Sequence, residues 1–314
     1  MSEPIQPQTL SSPAAHSGAA AELSETIGFC PACGHPSTAQ ELQLQFLSAR
    51  GESPWVQCSQ CQSYHLVGSY DSQDEASHTA QMPWGQQDAG IELNHFKRRM
   101  FESALSGIDR LLPEARTILD VGCSFGGFLT EARRYGYEAA GVDIVPEAVQ
   151  YVQQQGFRAE QCASLKDCRL FSSQNPVDVL TVLDAHIYWP DQPGELKTAW
   201  SLIRPGGLLV MRAITKSHFV TAGRALGPVA PKLSRQLIRR AVTDHRFCMP
   251  LPSLLETIRQ CGFTIEVVST RDAQHSNQSS LAVRSLFSLG ELTWKMLRKN
   301  LAPGAMIFAR KPST

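Results

Sequence analysis

Two clusters in this 314-residue sequence have residue types and spacings that can do chemistry. The first is Ile118-Leu-Asp-Val-Gly-Cys-Ser-Phe-Gly-Gly-Phe-Leu129, where an apolar strand runs into a turn with glycines at 122, 126 and 127 and then a helix. Small residues let a ligand reach the backbone there, and the first helical turn offers unused N–H groups. The following strand ends in Gly141-Val-Asp143, 21 residues after Gly122, where a carboxylate can accept both ribose hydroxyls of a nucleoside. Tight strand-to-helix turns also occur without ligands, but turn and carboxylate together point to a nucleoside cofactor. The order Asp120-x-Gly122-x-Ser124-x-Gly126 departs from the G-x-G-x-x-G of dinucleotide enzymes. An acidic residue at the strand end can hold an ammonium group rather than a pyrophosphate.

The second cluster is a pair of C-x₂-C knuckles, Cys30-Pro-Ala-Cys33 and Cys58-Ser-Gln-Cys61, with 24 residues between them. Four thiolates on two tight turns suit tetrahedral zinc, and a small module with little core gains stability from the metal. The alternatives are a degenerate ribbon or a redox pair, and no strand-helix-strand pattern surrounds either knuckle to favour redox. Four sulfurs close such a site, so its expected role is structural. His35 and His65 lie nearby and are not needed as ligands.

The length suggests about two domains to position these clusters. Residues 1–26 are rich in Ser, Ala, Pro and Gln and read as a disordered tail; residues 27–70 form the cysteine module. The polar stretch 71–90 reads as a linker, and residues 91–314 as the main domain. A helical pattern runs from Ile91 to about Leu112, ended by Pro113. Apolar runs at Thr117–Val121, Glu138–Ile144, Val177–Leu183 and Leu208–Ile214 then alternate with helical stretches opened by Pro146 or closed by Gly136 and Gly156. A helix at Ser253–Cys261, a strand at Phe263–Ser269, a long amphipathic helix near Leu281–Leu297 and a strand at Ala305–Lys311 complete the chain. Alternating strands and helices argue for an α/β fold with a parallel sheet covered on both faces.

At Leu119-Asp-Val-Gly-Cys, Gly141-Val-Asp143 and Leu202-Ile-Arg-Pro-Gly-Gly207 the sequence resembles the class I S-adenosylmethionine-dependent methyltransferases, over about residues 92–311. The cysteine knuckles and a helix bearing Lys97-Arg-Arg99 make it similar to bacterial members with an N-terminal zinc ribbon, which commonly modify saccharides, lipids or other metabolites. The resemblance implies a Rossmann-like, seven-stranded, mostly parallel sheet preceded by a small zinc ribbon. It also implies that Asp120, Gly122, Cys123, Ser124 and Gly126 line the methionine end of S-adenosylmethionine and that Asp143 binds its ribose. Ile144 would pack on the adenine, with Ala163 and Cys162 near its edge. Ser124 stands where the family has glycine, and Cys162 or Ala163 where it often has an acidic residue.

Ligands of open α/β sheets sit beyond the carboxyl ends of the strands, so the loop Leu183-Asp-Ala-His-Ile-Tyr-Trp-Pro-Asp191 should face the transferred methyl. Methyl transfer demands orientation, plus a base where the acceptor must lose a proton. Asp184, His186 and Tyr188 are candidates for base or positioning group; Tyr188 takes the place of a family histidine. The same residues could simply shape the loop over Trp189. His245, in Asp-His-Arg-Phe247, is a further catalytic or pocket candidate, against a structural or surface role.

The balanced charge, 29 basic against 29 acidic side chains, conceals a gradient. Residues 1–96 hold ten acidic and one basic residue, whereas residues 204–246 hold nine basic and one acidic. An acidic N-terminal third repels phosphates, which counts against an RNA methyltransferase. The segment 212–246 reads as a solvated helical face, as a lid over an anionic acceptor, or as a membrane-surface or nucleic-acid contact. No apolar run is long enough to span a bilayer, and no secretory leader is visible, so the expected compartment is the cytoplasm. The expected partner is a small methyl acceptor, anionic if the segment 212–246 is its lid; a non-catalytic cofactor-binding module is the other alternative.

Overall fold

The computed structural model describes residues 26–38, 43–48, 51–68, 70–242, 245–275 and 281–313. Nearly all of the tail expected at 1–26 therefore lies outside the described residues. The cysteine module contains β1 (Thr26–Phe29), β2 (Pro36–Thr38), β3 (Gln43–Ser48), β4 (Gly51–Gln57) and β5 (Tyr64–Leu66). Next come α1 (Ser72–Gln81), a short 3-10 turn at Pro83–Gly85, and α2 (Gln87–Leu111).

The α/β unit then runs β6 (Thr117–Val121), α3 (Gly127–Arg134), β7 (Glu138–Asp143), α4 (Pro146–Gln154), β8 (Arg158–Gln161), β9 (Val177–Leu183), α5 (Gln192–Leu202) and β10 (Ile203–Ile214). A helical insertion, α6 (Ser217–Leu226) and α7 (Pro231–Val242), leads to β11 (Phe247–Cys248). The chain continues through α8 (Leu251–Gln260), β12 (Thr264–Ser269), α9 (Leu281–Leu297) and β13 (Gly304–Arg310).

Seven strands form one sheet in the order β12-β13-β10-β9-β6-β7-β8. Only β13 runs antiparallel, paired with β10 on one side and β12 on the other. The expected Rossmann-like sheet is thus present. Its central strands are buried on both faces, which is why they read as continuous apolar runs. On one face, Met100, Leu105 and Ile108 of α2 pack with Phe128 against Val179, Val210 and Phe308. Gly107 is required there, because a Cβ would fall 2.1 Å from the Phe308 ring. On the other face, Leu196 of α5 and Leu254 and Ile258 of α8 cover Leu119, Leu180 and Ile307. The chain leaves β6 toward β7 on one side while β9 pairs on the other, and this reversal opens a crevice at the strands' carboxyl ends.

Two expectations change. The stretch 71–90, read as a linker from its polarity, is mostly helical. Asp71 accepts the N–H groups of Gln73 and Asp74 at 2.8 and 2.9 Å, so capping rather than an apolar stripe starts α1. The cysteine module is also built into the main domain. β11, from beyond the helical insertion, pairs with β5 to extend the module's sheet to β11-β5-β4-β3. Cys30, Ala32, Cys58 and Cys61 pack in the same buried cluster as Leu196 and Met249.

Candidate active site

A cavity of about 390 Å³ opens at the carboxyl ends of β6, β7 and β9, within the size range of small-molecule sites. The turn after β6 forms its floor. Gly122 has φ of +76°, and a Cβ on it would lie 2.5 Å from that of Ala185, so glycine lets the loop after β9 close against the turn. Ser124 adopts a left-handed φ of +47°. Its N–H donates to Asp143 Oδ2 at 2.7 Å and its hydroxyl donates to the Trp84 carbonyl at 3.0 Å.

Asp143 also accepts the Val145 N–H, at 2.9 Å. Burial raises its pKa above the ordinary carboxylate value, while the N–H groups of Val145 and Ser124 act in the opposite sense. Asp120 is 3% exposed and accepts the Thr181 hydroxyl at 2.6 Å. Its burial pushes the carboxyl up to about 7. Ile144 and Ala163 line the same cavity. Cys123 contributes to that wall, while its side chain fills core space above Gly141: a Cβ there would sit 2.6 Å from the sulfur. Gly126 departs from expectation. It faces a second, smaller cavity behind the turn, and its left-handed φ of +73° serves the entry into α3.

Of the residues expected on the acceptor side, Asp184, Tyr188 and His245 line the main cavity. His186 does not, and this corrects its assignment as a catalytic candidate. It is fully buried, its Nε2 accepts the Ile214 N–H at 3.2 Å, and its Nδ1 therefore carries the proton donated to Gln192 Oε1 at 2.9 Å. Burial pushes its pKa down to about 4. Gln192 passes the connection on, donating to the Ala32 carbonyl at 3.1 Å. His186 is a strut between β10 and the first cysteine knuckle.

Asp184 is a poor base for a different reason. It bonds Arg212 Nη1 through one oxygen, and Lys97 Nζ and His275 Nε2 through the other, both at 3.1 Å. Burial alone would raise its pKa, but Arg212, Lys97 and His275 hold it well below the usual carboxylate range. Its backbone is left-handed, with φ of +71°. His245 is buried beside Tyr188, their rings edge-on with centroids 6.4 Å apart. Burial, reinforced by Lys216, keeps its imidazole well below the ordinary histidine pKa and therefore neutral.

Sequence reasoning assigned no role to several residues on this wall. Trp84 comes from the supposed linker and faces Tyr188 at 6.5 Å. Glu75 of α1 lines the cavity while its carboxylate pairs with Arg246 at 2.9 Å. Lys97 and His275 bind Asp184 from opposite ends of the chain. Residues Lys97-Arg-Arg99 were a signal, but only packing shows which cation turns inward. Trp84 Nε1 and Asn94 Nδ2 are buried donors on the cavity wall with no acceptor among the described residues. A ligand bearing acceptor oxygens would satisfy both.

The cysteines form the remaining cluster. Their four Sγ atoms lie within 4.8 Å of one another, with Cys30–Cys61 at 3.7 Å and Cys33–Cys58 at 3.8 Å. A tetrahedron with ~2.3 Å zinc–sulfur arms has edges of about 3.8 Å, so the donor set fits a structural zinc ion.

The family model described as "Methyltransferase domain" matches residues 96–268, more than half of the chain. The chain belongs to this methyltransferase family. As an S-adenosylmethionine-dependent methyltransferase of class I, it shares 24% identity over 165 residues with a ubiquinone biosynthesis O-methyltransferase of Xanthomonas axonopodis pv. citri. That match covers 51% of this chain and 67% of the relative. Its counterpart in Xylella fastidiosa M23 is 24% identical over 174 residues, covering 54% and 69%. Among solved structures, a chain from the complex between the Haloferax volcanii Trm112 methyltransferase activator and a methyltransferase superposes with a TM-score of 0.51. It is 14% identical and covers 78% of this chain and all of that one, a likeness of fold. Among the described residues, no helix of this methyltransferase is long and apolar enough to cross a membrane.

Proposed function

We propose that this methyltransferase methylates a small metabolite bearing an anionic group, with the acceptor held beside Asp184, Tyr188 and His245. When bound, S-adenosylmethionine supplies an electrophilic methyl group on a sulfonium. The chain's part is to bind, align and manage the proton. Asp143, with its oxygens oriented by the Ser124 and Val145 N–H groups, is set to accept ribose hydroxyls. Asp120 supplies the carboxylate for an ammonium at the other end, and Ile144 and Ala163 the apolar wall for a base.

The observation that carries the acceptor assignment is the Asp184 cluster. Lys97 and Arg212 place two cationic side chains against one carboxylate in a buried setting. Lys97, which lines the cavity and also acts on Asp120, is the cation placed to meet an acceptor carboxylate or phosphate. With Asp184 locked in ion pairs, His245 is the cavity group left to hydrogen-bond an acceptor hydroxyl and orient it, its lowered pKa making it a weak base. The names of the Xanthomonas and Xylella relatives support an oxygen acceptor. The basic face of α7 is a less suitable lid, since Lys232, Arg235 and Arg239 lie exposed.

Zinc in the cysteine cluster would clamp the module on which Gln192 and His186 lean. Two assays test the reading: transfer of labelled methyl to a panel of phenols and carboxylate- or phosphate-bearing hydroxy compounds, and metal analysis of the purified chain. Turnover on an anionic acceptor, reduced about 10²-fold or more in His245→Ala, is expected together with one zinc per chain. Turnover indifferent to His245, or restricted to uncharged acceptors, contradicts it.

A further inference from the structure

The helix α9 (Leu281–Leu297) buries one narrow stripe, Phe287, Gly290, Glu291 and Trp294, at spacings of three and four residues. Its opposite stripe is apolar as well. Leu281, Leu289, Leu292 and Met296 are 78%, 49%, 54% and 72% exposed. Single exposed leucines are ordinary on protein surfaces, but a row along one helix face marks an interaction surface.

The charges beside the row identify its partner. Arg284, Lys295, Arg298 and Lys299 are all exposed on or just after α9. The helix's single acidic residue, Glu291, turns inward, where it accepts the Thr270 N–H at 2.6 Å and pairs with Lys295 at 3.1 Å. Two copies packed through this face would bring basic side chains together. A leucine row edged by Lys and Arg, without an exposed carboxylate, instead matches an anionic bilayer. There the apolar side chains enter the headgroup–acyl boundary and the cations meet lipid phosphates. We infer that α9 is a peripheral docking helix for an anionic lipid surface.

Its place in the fold relates docking to the cavity. The inner stripe rests on the turn after β12: Thr270 Oγ1 donates to the Phe287 carbonyl at 3.0 Å, and Glu291 also accepts the Arg271 N–H at 3.3 Å. The same turn leads to His275, which lines the cavity and bonds Asp184. Docking of α9 is therefore connected through this turn to the cavity wall at His275.

The test is flotation of the full chain with phosphatidylcholine vesicles, with and without phosphatidylglycerol, at low and high salt. Binding is expected only with phosphatidylglycerol and is weakened by salt. Partitioning should fall roughly tenfold or more in Leu289→Ser/Leu292→Ser/Met296→Ser, and also in Arg298→Gln/Lys299→Gln. Unchanged cofactor binding would show that both variants remain folded, independently of the acceptor's identity. The inference is overturned by equal binding to pure phosphatidylcholine, by no binding to either vesicle, or by variants that bind like the parent. A concentration-dependent dimer abolished by the leucine changes would likewise overturn it, assigning the face to a second copy.

Discussion

The Ser124 hydroxyl donates to the Trp84 carbonyl at 3.0 Å, tying the glycine-rich turn to a segment 40 residues upstream. This bond gives the serine side chain a task in the turn. The left-handed backbone at Ser124 is strained for any residue with a side chain, and the hydroxyl offsets the strain by anchoring the 3-10 turn that carries Trp84 over the cavity.

Ser124→Ala keeps the strain and loses the bond, whereas Ser124→Gly loses the bond and relieves the strain. The alanine variant should be less stable than the glycine variant by about 1–2 kcal/mol. Urea denaturation of the two proteins checks the order. Equal midpoints at equal slopes would mean that the backbone there is unstrained.

His186 gives the fold an acid-sensitive strut. Its pKa in the folded chain is about 4, below the 6.5 of an unhindered histidine, because burial disfavours the charged ring. A depressed histidine contributes stability that is full above about 6.5 and lost as pH falls from there toward 4. The contribution is on the order of 3 kcal/mol, and His275, also held near 4, adds to the same limb. His186→Gln should flatten the decline of melting temperature between pH 6.5 and 4 without shifting the pH profile of kcat. A shifted profile would return His186 to the chemistry.

Asp120 has the opposite sign. Burial lifts its carboxyl from the ordinary 3.8 to about 7, so the protonated form favours the fold. That contribution is complete below about pH 4 and lost as pH rises through 7. Asp120→Asn should gain stability relative to the parent above neutrality. A cation held by Asp120 requires its ionised form, so S-adenosylmethionine should bind more tightly at pH 8 than at pH 6, releasing a proton. Calorimetry in buffers of different ionisation enthalpy measures that release, and its persistence in Asp120→Asn would place the proton elsewhere.

Much of this was legible in the sequence because local rules produced it. The central strands are apolar runs, Pro146 opens α4 where its missing N–H costs nothing, and Gly122 and Asp143 sit at strand ends fixed by the sheet. The two cysteine knuckles have a spacing that suits structural zinc better than a redox pair, and their sulfurs meet. What escaped was tertiary. α1 has few apolar residues and stands on an Asp71 cap and the Glu75–Arg246 pair, neither of which leaves periodicity to read. His186 and His245 are equally plausible on paper. Only packing shows one engaged at both nitrogens and outside the cavity, the other inside it. Asp184 acquires its three partners, Lys97, Arg212 and His275, from α2, β10 and the turn after β12, separated by 87 to 91 positions at the extremes.

The most direct test of the central claim is titration calorimetry of S-adenosylmethionine into the purified chain and into Asp143→Ala, with Arg235→Ala as a surface control. Circular dichroism would confirm that all three are folded. The expected result is one site per chain in the parent and the control, with affinity at least roughly tenfold weaker in Asp143→Ala, as befits loss of a charged hydrogen-bonding group. No binding by the folded parent, or the same affinity in Asp143→Ala, would contradict the assignment of this cavity as the cofactor site.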